Sequence, residues 1–175
     1  VTGKMNVLAL DLAERTGWAV RSAPWGFQPA VESGEQVHAE PNDEGRDLCY
    51  RQGLRLRRFR AWLAELLPVG GPPWLVAYER PIIFPGRPAG AIAAHQYEGV
   101  LLALLAEREV PHVAVSPSTL KKHATGSGRA EKGQMVEAAR WRWGLRADGE
   151  ELGHDQADAL CVLAWVLDVH LGEPA

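Results

Sequence analysis

The sequence predicts an α/β fold: a mixed five-stranded sheet flanked by helices on both faces. Three observations point there. Two short apolar runs, residues 5–12 (MNVLALDL) and 74–81 (WLVAYERP), read as strands buried on both faces, and each carries a carboxylate at or near its end. From residue 44 the apolar spacing switches to a helical period, and the elements then run in the order β-β-β-α-β-α-β-α-α, three antiparallel strands followed by alternating helix and strand.

The first strand ends at Asp11, and TGWAVRS follows a tight turn at 13–16 as the second. A stretch broken by Pro24, Gly26 and Pro29 separates it from a third β-like run, GEQVHAE, at 34–40. Residues 44–67 form a helix with Leu48, Leu54, Phe59, Leu63, Leu66 and Leu67 as core contacts, closed by Pro68, Gly70, Gly71, Pro72 and Pro73. After the strand ending at Glu79 and a Pro/Gly loop comes a long helix, 89–109, whose small-residue stripe suits close packing or a subunit interface. VPHVAVSP returns to strand. A short helix at 117–123, the loop TGSGRAEKG, an amphipathic helix with Met135 and Trp141, and a buried helix at 154–167 complete the chain.

The 175 residues fit one domain, 1–175, large enough to bury a sheet and its helices. No apolar run approaches the roughly 20 residues that span a bilayer, and VTGKMNVLALD lacks the apolar region and cleavage site of a signal peptide, so a cytoplasmic protein is expected. Cys49 and Cys161 are far apart, show neither zinc-site nor disulfide spacing, and read as packing residues. The net charge of −3 argues against indiscriminate coating of nucleic acid. Positive charge is nonetheless clustered, with Arg46, Arg51, Arg55, Arg57, Arg58 and Arg60 in one segment and Lys121, Lys122, His123, Arg129 and Lys132 in another. A solvated helix face is the more common fate of such runs, a binding surface the less common one.

HDQADALCVLAWVL, residues 154–167, opens a core helix with Asp155 and Asp158 on one face. Acids there complement the helix dipole whether or not they have another use. Asp11 can likewise be a turn former and Glu79 an ion-pair partner of Arg80. Joint placement alters the balance, because strand ends and helix N-termini gather at one edge of an α/β sheet. Four converging acids repel unless cations neutralise them, and an oxygen-rich set suits Mg²⁺ or Mn²⁺. Two such ions about 3.5–4 Å apart promote phosphodiester hydrolysis.

LALDLAERTGWAV, VAYERP, SPSTLKKHATGSGRAEK and HDQADAL together resemble the successive motifs of RuvC-type Holliday junction resolvases, in order and with suitable gaps, from residue 5 to about 170. The resemblance implies a ribonuclease H-like fold. It implies a metal-binding catalytic quartet of Asp11, Glu79, Asp155 and Asp158, served by two Mg²⁺ ions for which Mn²⁺ can substitute, with no organic cofactor. Asp155 takes the third place because it keeps the three-residue spacing to Asp158; His154 is then a cap or a support for the ligands, with direct metal contact as the alternative. Lys121 and Lys132 match the family's loop lysines, Lys132 as a catalytic residue beside the scissile phosphate. Lys122, Arg129, Ser127 and Arg80 join them as DNA contacts. Where relatives place an aromatic soon after the second acid, this chain has Ile82, and Phe84 two residues later is the candidate to stack on a base, worth about 1–3 kcal/mol, or else anchors the loop.

The implied activity is endonucleolytic resolution of four-way junction DNA in recombination and repair by a homodimer, with no membrane partner. The helix from Gly90 to Glu107 is the expected interface, and Arg51, Arg55 and Arg58 are expected to steer the junction arms. Three rivals stay open: a related nuclease acting on another branched DNA or on RNA, a junction-binding protein that does not cut, and an actin-like ATPase. The last lacks a second phosphate-binding loop in the sequence.

Overall fold

The computed structural model describes residues 5–22, 30–69, 74–83, 88–145 and 151–173, with only the backbone of 88–91. Strands β1 (Asn6–Asp11), β2 (Arg15–Ser22) and β3 (Ala30–Val37) form an antiparallel meander, with Asp11 opposite Gly17 and Arg15 opposite Val37. Helix α1 (Leu48–Leu66) leads to β4 (Trp74–Glu79), which lies parallel to β1 with Leu10 beside Tyr78. Helix α2 (Pro88–Glu107) leads to β5 (His112–Val115), parallel to β4. Helices α3 (Pro117–Thr125), α4 (Lys132–Trp143) and α5 (His154–Trp165) follow, and the sheet order is β3-β2-β1-β4-β5. The antiparallel first three strands and the mixed five-stranded sheet are as expected.

Alternation along the strands divides the core. Leu8, Leu10, Val76 and Tyr78 face α1 and α2, packing on Phe59, Leu63, Tyr97 and Leu101. Val7, Ala9, Leu75 and Ala77 face the other way, against Leu160, Val162, Leu163 and Val166 of α5 and the adjoining turn. Burial of each large side chain contributes about 1.5–3 kcal/mol. The α5 face is lined by small residues, Ala9, Ala19, Ala77, Ala157 and Ala159, all fully buried, so the helix backbone lies close to the sheet. Among the described residues no helix is long and apolar enough to cross a membrane.

Local chemistry moved several element boundaries. β3 was expected at 34–40 but begins at Ala30, because its bounds follow from pairing with β2 (Ser22 opposite Ala30) rather than from its own apolar pattern. His38 leaves the strand, its N–H donating to the Glu14 carbonyl (3.1 Å), and its ring packs against Phe59, Trp62 and Tyr97 while Nε2 meets Thr16 Oγ1 (3.0 Å). Helix α1 starts at Leu48 rather than 44, since Asp47 caps it by accepting the N–H groups of Cys49 (2.8 Å) and Tyr50 (3.2 Å). Its first turn lies outside the packed stretch, so Leu48 and Cys49 are exposed, against expectation, whereas Cys161 is buried as expected. Trp141 is exposed and Met135 buried on α4. α5 ends at Trp165, and residues Val166–His170 form a wider π turn.

Two of the three arginines assigned to steering are engaged within the fold. Arg58 grips Asp43 with both Nη atoms (2.6 and 2.9 Å) and reaches Glu40 (3.0 Å), while Arg55 pairs with Glu14 (2.5 Å). The Arg58 hydrogen bonds hold the Asp43 carboxyl down to about 2, so this stabilisation is present above the ordinary carboxylate range and is lost as pH falls through about 2. Arg58→Ala is therefore expected to lower the melting temperature by several degrees and to leave the salt dependence of DNA binding unchanged. Parallel melting and salt-titrated gel-shift measurements check both.

Candidate active site

Strand alternation fixes where the first two acids point. Asp11 continues the Val7–Ala9 face of β1 and Glu79 the Leu75–Ala77 face of β4, so neighbouring parallel strands deliver both carboxylates toward the α5 side at their C-terminal ends. α5 begins above them. Gly17, directly opposite Asp11, lies so close that a Cβ built on it would stand 1.8 Å from the Asp155 carbonyl oxygen. From that turn Asp155 and Asp158, three residues apart, share one helix face.

The electrostatics place all four acids in one neighbourhood. Burial, then Glu79, Asp158 and Asp155 in that order, drive the Asp11 carboxyl well above its usual range, and Lys132 opposes them. Glu79 is pushed up to about 7 by burial and by Asp158, against Lys121. Asp158 rises to about 6 through burial, with Lys132 opposing and Asp155 adding to the rise. Asp155 is raised by burial and then by Glu35, while Lys132, Arg15 and His154 oppose. The carboxylates are electrostatic neighbours rather than a closed cage: among the described residues no three His, Cys, Asp or Glu side chains already converge on an ion position. The buried Cys161 thiol, one turn beyond Asp158, is pushed up to about 12 by burial, Asp158 and Glu79, which leaves it inert.

The cations come from the α3–α4 region. Lys132 is exposed at the first position of α4, where the helix dipole disfavours a positive charge; the nearby acids compensate. Lys121 is half-buried, and Lys122, Ser127 and Arg129 are exposed around the left-handed Gly126 turn (φ 81°) that closes α3. Asp168 holds this region together by binding His123 Nε2 (3.1 Å) and Arg142 (2.6 Å), so His123 is not part of a free basic surface. Arg80 is exposed, its N–H donating to Val115 (2.8 Å). His154 is exposed beside a groove of about 410 Å³ lined also by Gly133, Glu137, Arg140 and Leu152. Phe84 lies outside the described residues.

Sequence reasoning missed Gly17 and Glu35. A glycine inside a β run signals a close backbone approach, so Gly17 was legible in principle. Glu35 carries no such signal.

A pH prediction follows from Glu79. Its folded value near 7 exceeds the ordinary 4.5, so the folded state keeps a proton that the unfolded chain gives up between those values. Stability contributed by the protonated group is full below about 4.5 and is lost as pH rises to 7, a cost of roughly 3 kcal/mol. His38, held down to about 4 by burial and Arg58, acts in the opposite sense in much of that window, which makes a difference measurement necessary. Denaturation in chelator is expected to show Glu79→Gln gaining on the wild type from pH 4.5 to 7. A constant gap would contradict the burial of this charge.

No family model matches the chain. Among curated proteins, the crossover junction endodeoxyribonuclease RuvC of Synechococcus sp. (strain RCC307) is 34% identical over 173 residues, covering 92% of this chain and 98% of the relative. That of Anaeromyxobacter sp. (strain K) is 32% identical over 159 residues, covering 90% and 78%. The Thermus thermophilus RuvC structure superimposes with a TM-score of 0.62 at 22% identity, over 97% of this chain and 98% of that one. The same protein in complex with a Holliday junction substrate gives 0.65 at 21% identity over the same shares. Sheet order and superposition agree on a ribonuclease H-like fold. With relatives above 30% identity matched over most of both chains, the protein belongs to the RuvC crossover junction endodeoxyribonuclease family.

Proposed function

We propose that the protein is a structure-selective DNA endonuclease that resolves four-way junctions by paired, metal-dependent phosphodiester hydrolysis in recombination and repair. The observation that carries this reading is the meeting of Asp11, Glu79, Asp155 and Asp158 from two strand ends and a helix start. Their donor set fits a hard divalent cation: the ligand atoms are carboxylate oxygens, burial raises each group, and repulsion within the set adds to the rise at Asp11, Glu79 and Asp158, a cost that bound positive charge removes. Mg²⁺ is the assigned ion, two per site, with Mn²⁺ able to substitute. Bound there, such ions supply Lewis-acid stabilisation of charge on the attacking and departing oxygens.

The chain's own residues do the rest. The four carboxylates orient the site, and Lys132 and Lys121 place positive charge where the scissile phosphate gains negative charge. A water oxygen bonds to phosphorus as the bond to one sugar oxygen breaks, and the water's proton ends on the departing oxygen. Lys122, Ser127, Arg129 and Arg80 bind the flanking backbone, Phe84 stacks on a base near the crossover, and His154 supports Asp155 rather than replacing it.

Residues 1–175 act as one nuclease domain in the cytoplasm of a bacterial cell or an infected bacterial host. Two copies related by a twofold axis, packed through α2, would present two sites to the symmetric strands of a junction. Competition among a four-way junction, a duplex and an RNA–DNA hybrid in Mg²⁺ tests the substrate class. Preferential cutting of the junction is expected; equal or preferential cutting of the hybrid would favour the related-nuclease reading.

A further inference from the structure

α5 carries two of the four acids, yet its own start is poorly specified. Its N-cap is Gly153, which has no side chain with which to satisfy the first free N–H groups of the helix. That work falls to a residue from the sheet. The Gln156 N–H donates to Glu35 Oε1 (3.4 Å), and Glu35 Oε2 is braced by Arg15 Nη1 (3.2 Å). One step along the same face of β3, Ser33 Oγ accepts from Gln156 Nε2 (3.0 Å). Across the ladder from Glu35 is Gly17, on which the Asp155 carbonyl rests. The space over Gly153 is itself filled by Glu35: a Cβ there would stand 1.9 Å from Oε1.

We propose that Glu35 is a positioning residue, a cap supplied by the neighbouring strand β3 of the same chain that fixes the height and rotation of the first turn of α5 so that Asp155 and Asp158 face Asp11. The proposal rests on the nuclease reading above for its catalytic consequence. Gly153 serves as the matching absence, a helix start left bare so that the carboxylate of another element can occupy it. Arg15 keeps that carboxylate from swinging to solvent. Gln156 doubles the link by joining its backbone and its side chain to β3. A rigid frame of this kind matters because a misplacement of about 1 Å in a reacting group can cost about 100-fold in rate.

The test uses full-length Glu35→Ala, Glu35→Gln and Gly153→Ala. Gly153 has extended backbone angles (φ −63°, ψ 155°) that alanine adopts freely, so Gly153→Ala evicts the Glu35 carboxylate while keeping its charge. Two readouts are made: single-turnover cleavage of a four-way junction with its binding measured separately, and Mn²⁺ binding to the protein without DNA by calorimetry. The proposal expects Glu35→Ala and Gly153→Ala each to lower the cleavage rate about 100-fold, with junction affinity within threefold of wild type, and to weaken Mn²⁺ binding about tenfold. Glu35→Gln, which keeps an acceptor oxygen for the Gln156 N–H, is expected to recover most of both. Wild-type rate and Mn²⁺ affinity in Gly153→Ala would overturn the proposal, as would Glu35→Gln as damaging as Glu35→Ala, the pattern of a charge effect. If the wild type cuts no junction, the nuclease reading fails, and Mn²⁺ affinity alone still decides the positioning of the acid pair.

Discussion

Asp11→Asn is expected to lower junction cleavage about a thousandfold, to leave junction affinity within about threefold, and to raise the melting temperature of the ion-free protein. The three results share one cause. Asp11 stands at the centre of the acid group, raised first by burial and then by Glu79, Asp158 and Asp155. An ionised carboxylate there is a cost to folding, and an isosteric amide removes it. The same charge is what would hold a divalent ion against the reacting phosphate, and loss of a preorganised electrostatic contact commonly costs 10²–10³ in rate. On the proposed reading DNA affinity rests on Lys121, Lys122, Arg129 and Lys132, all of which the substitution leaves in place. A melting temperature that fell together with activity would indicate ordinary misfolding. Single-turnover cleavage, gel shift without cleavage, and melting in chelator separate these outcomes.

Gly17→Ala is expected to cost about 100-fold in cleavage rate with the opposite sign on stability, a fall of several degrees. A Cβ at this position would lie 1.8 Å from the Asp155 carbonyl oxygen and 2.2 Å from its carbon. Those atoms are backbone, so no side chain can turn away, and the start of α5 must rise off β2. Asp155 and Asp158 move with it, while Asp11 and Glu79, held by β1 and β4, stay. A shift near 1 Å is enough for the predicted loss. Asp11→Asn and Gly17→Ala thus damage the same reaction, one stabilising the fold and one destabilising it. Measured together by melting and single-turnover rate, they separate charge from geometry; an active Gly17→Ala would mean that α5 does not sit on this strand as described.

Much of the sheet was legible because alternation and apolar runs are local properties. Val7, Ala9 and Asp11, or Leu75, Ala77 and Glu79, follow the two-residue period, so the face on which each acid falls can be counted from the sequence once α5 is assigned a side. The spacing of Asp155 and Asp158 was legible for the same reason on a helix. What could not be counted depends on register and docking. The shift of β3 to Ala30–Val37 is set by its partner strand, and that pairing brings Glu35 opposite Gly17 and beneath Gly153. Arg55 and Arg58 showed only as members of a basic run; their carboxylate partners, Glu14 and Asp43, come from segments that helical periodicity does not link to α1. Leu48 fitted the helical pattern yet is exposed, since a pattern does not report where the neighbouring layer ends.

Whether the four acids form one metal-dependent nuclease centre acting on branched DNA is decided by cleavage of a labelled four-way junction in Mg²⁺ by the wild type and by Asp155→Asn. Paired nicks in symmetry-related strands by the wild type, absent with Asp155→Asn, are the predicted result. An inactive wild type in both Mg²⁺ and Mn²⁺, or full activity in Asp155→Asn, would contradict it.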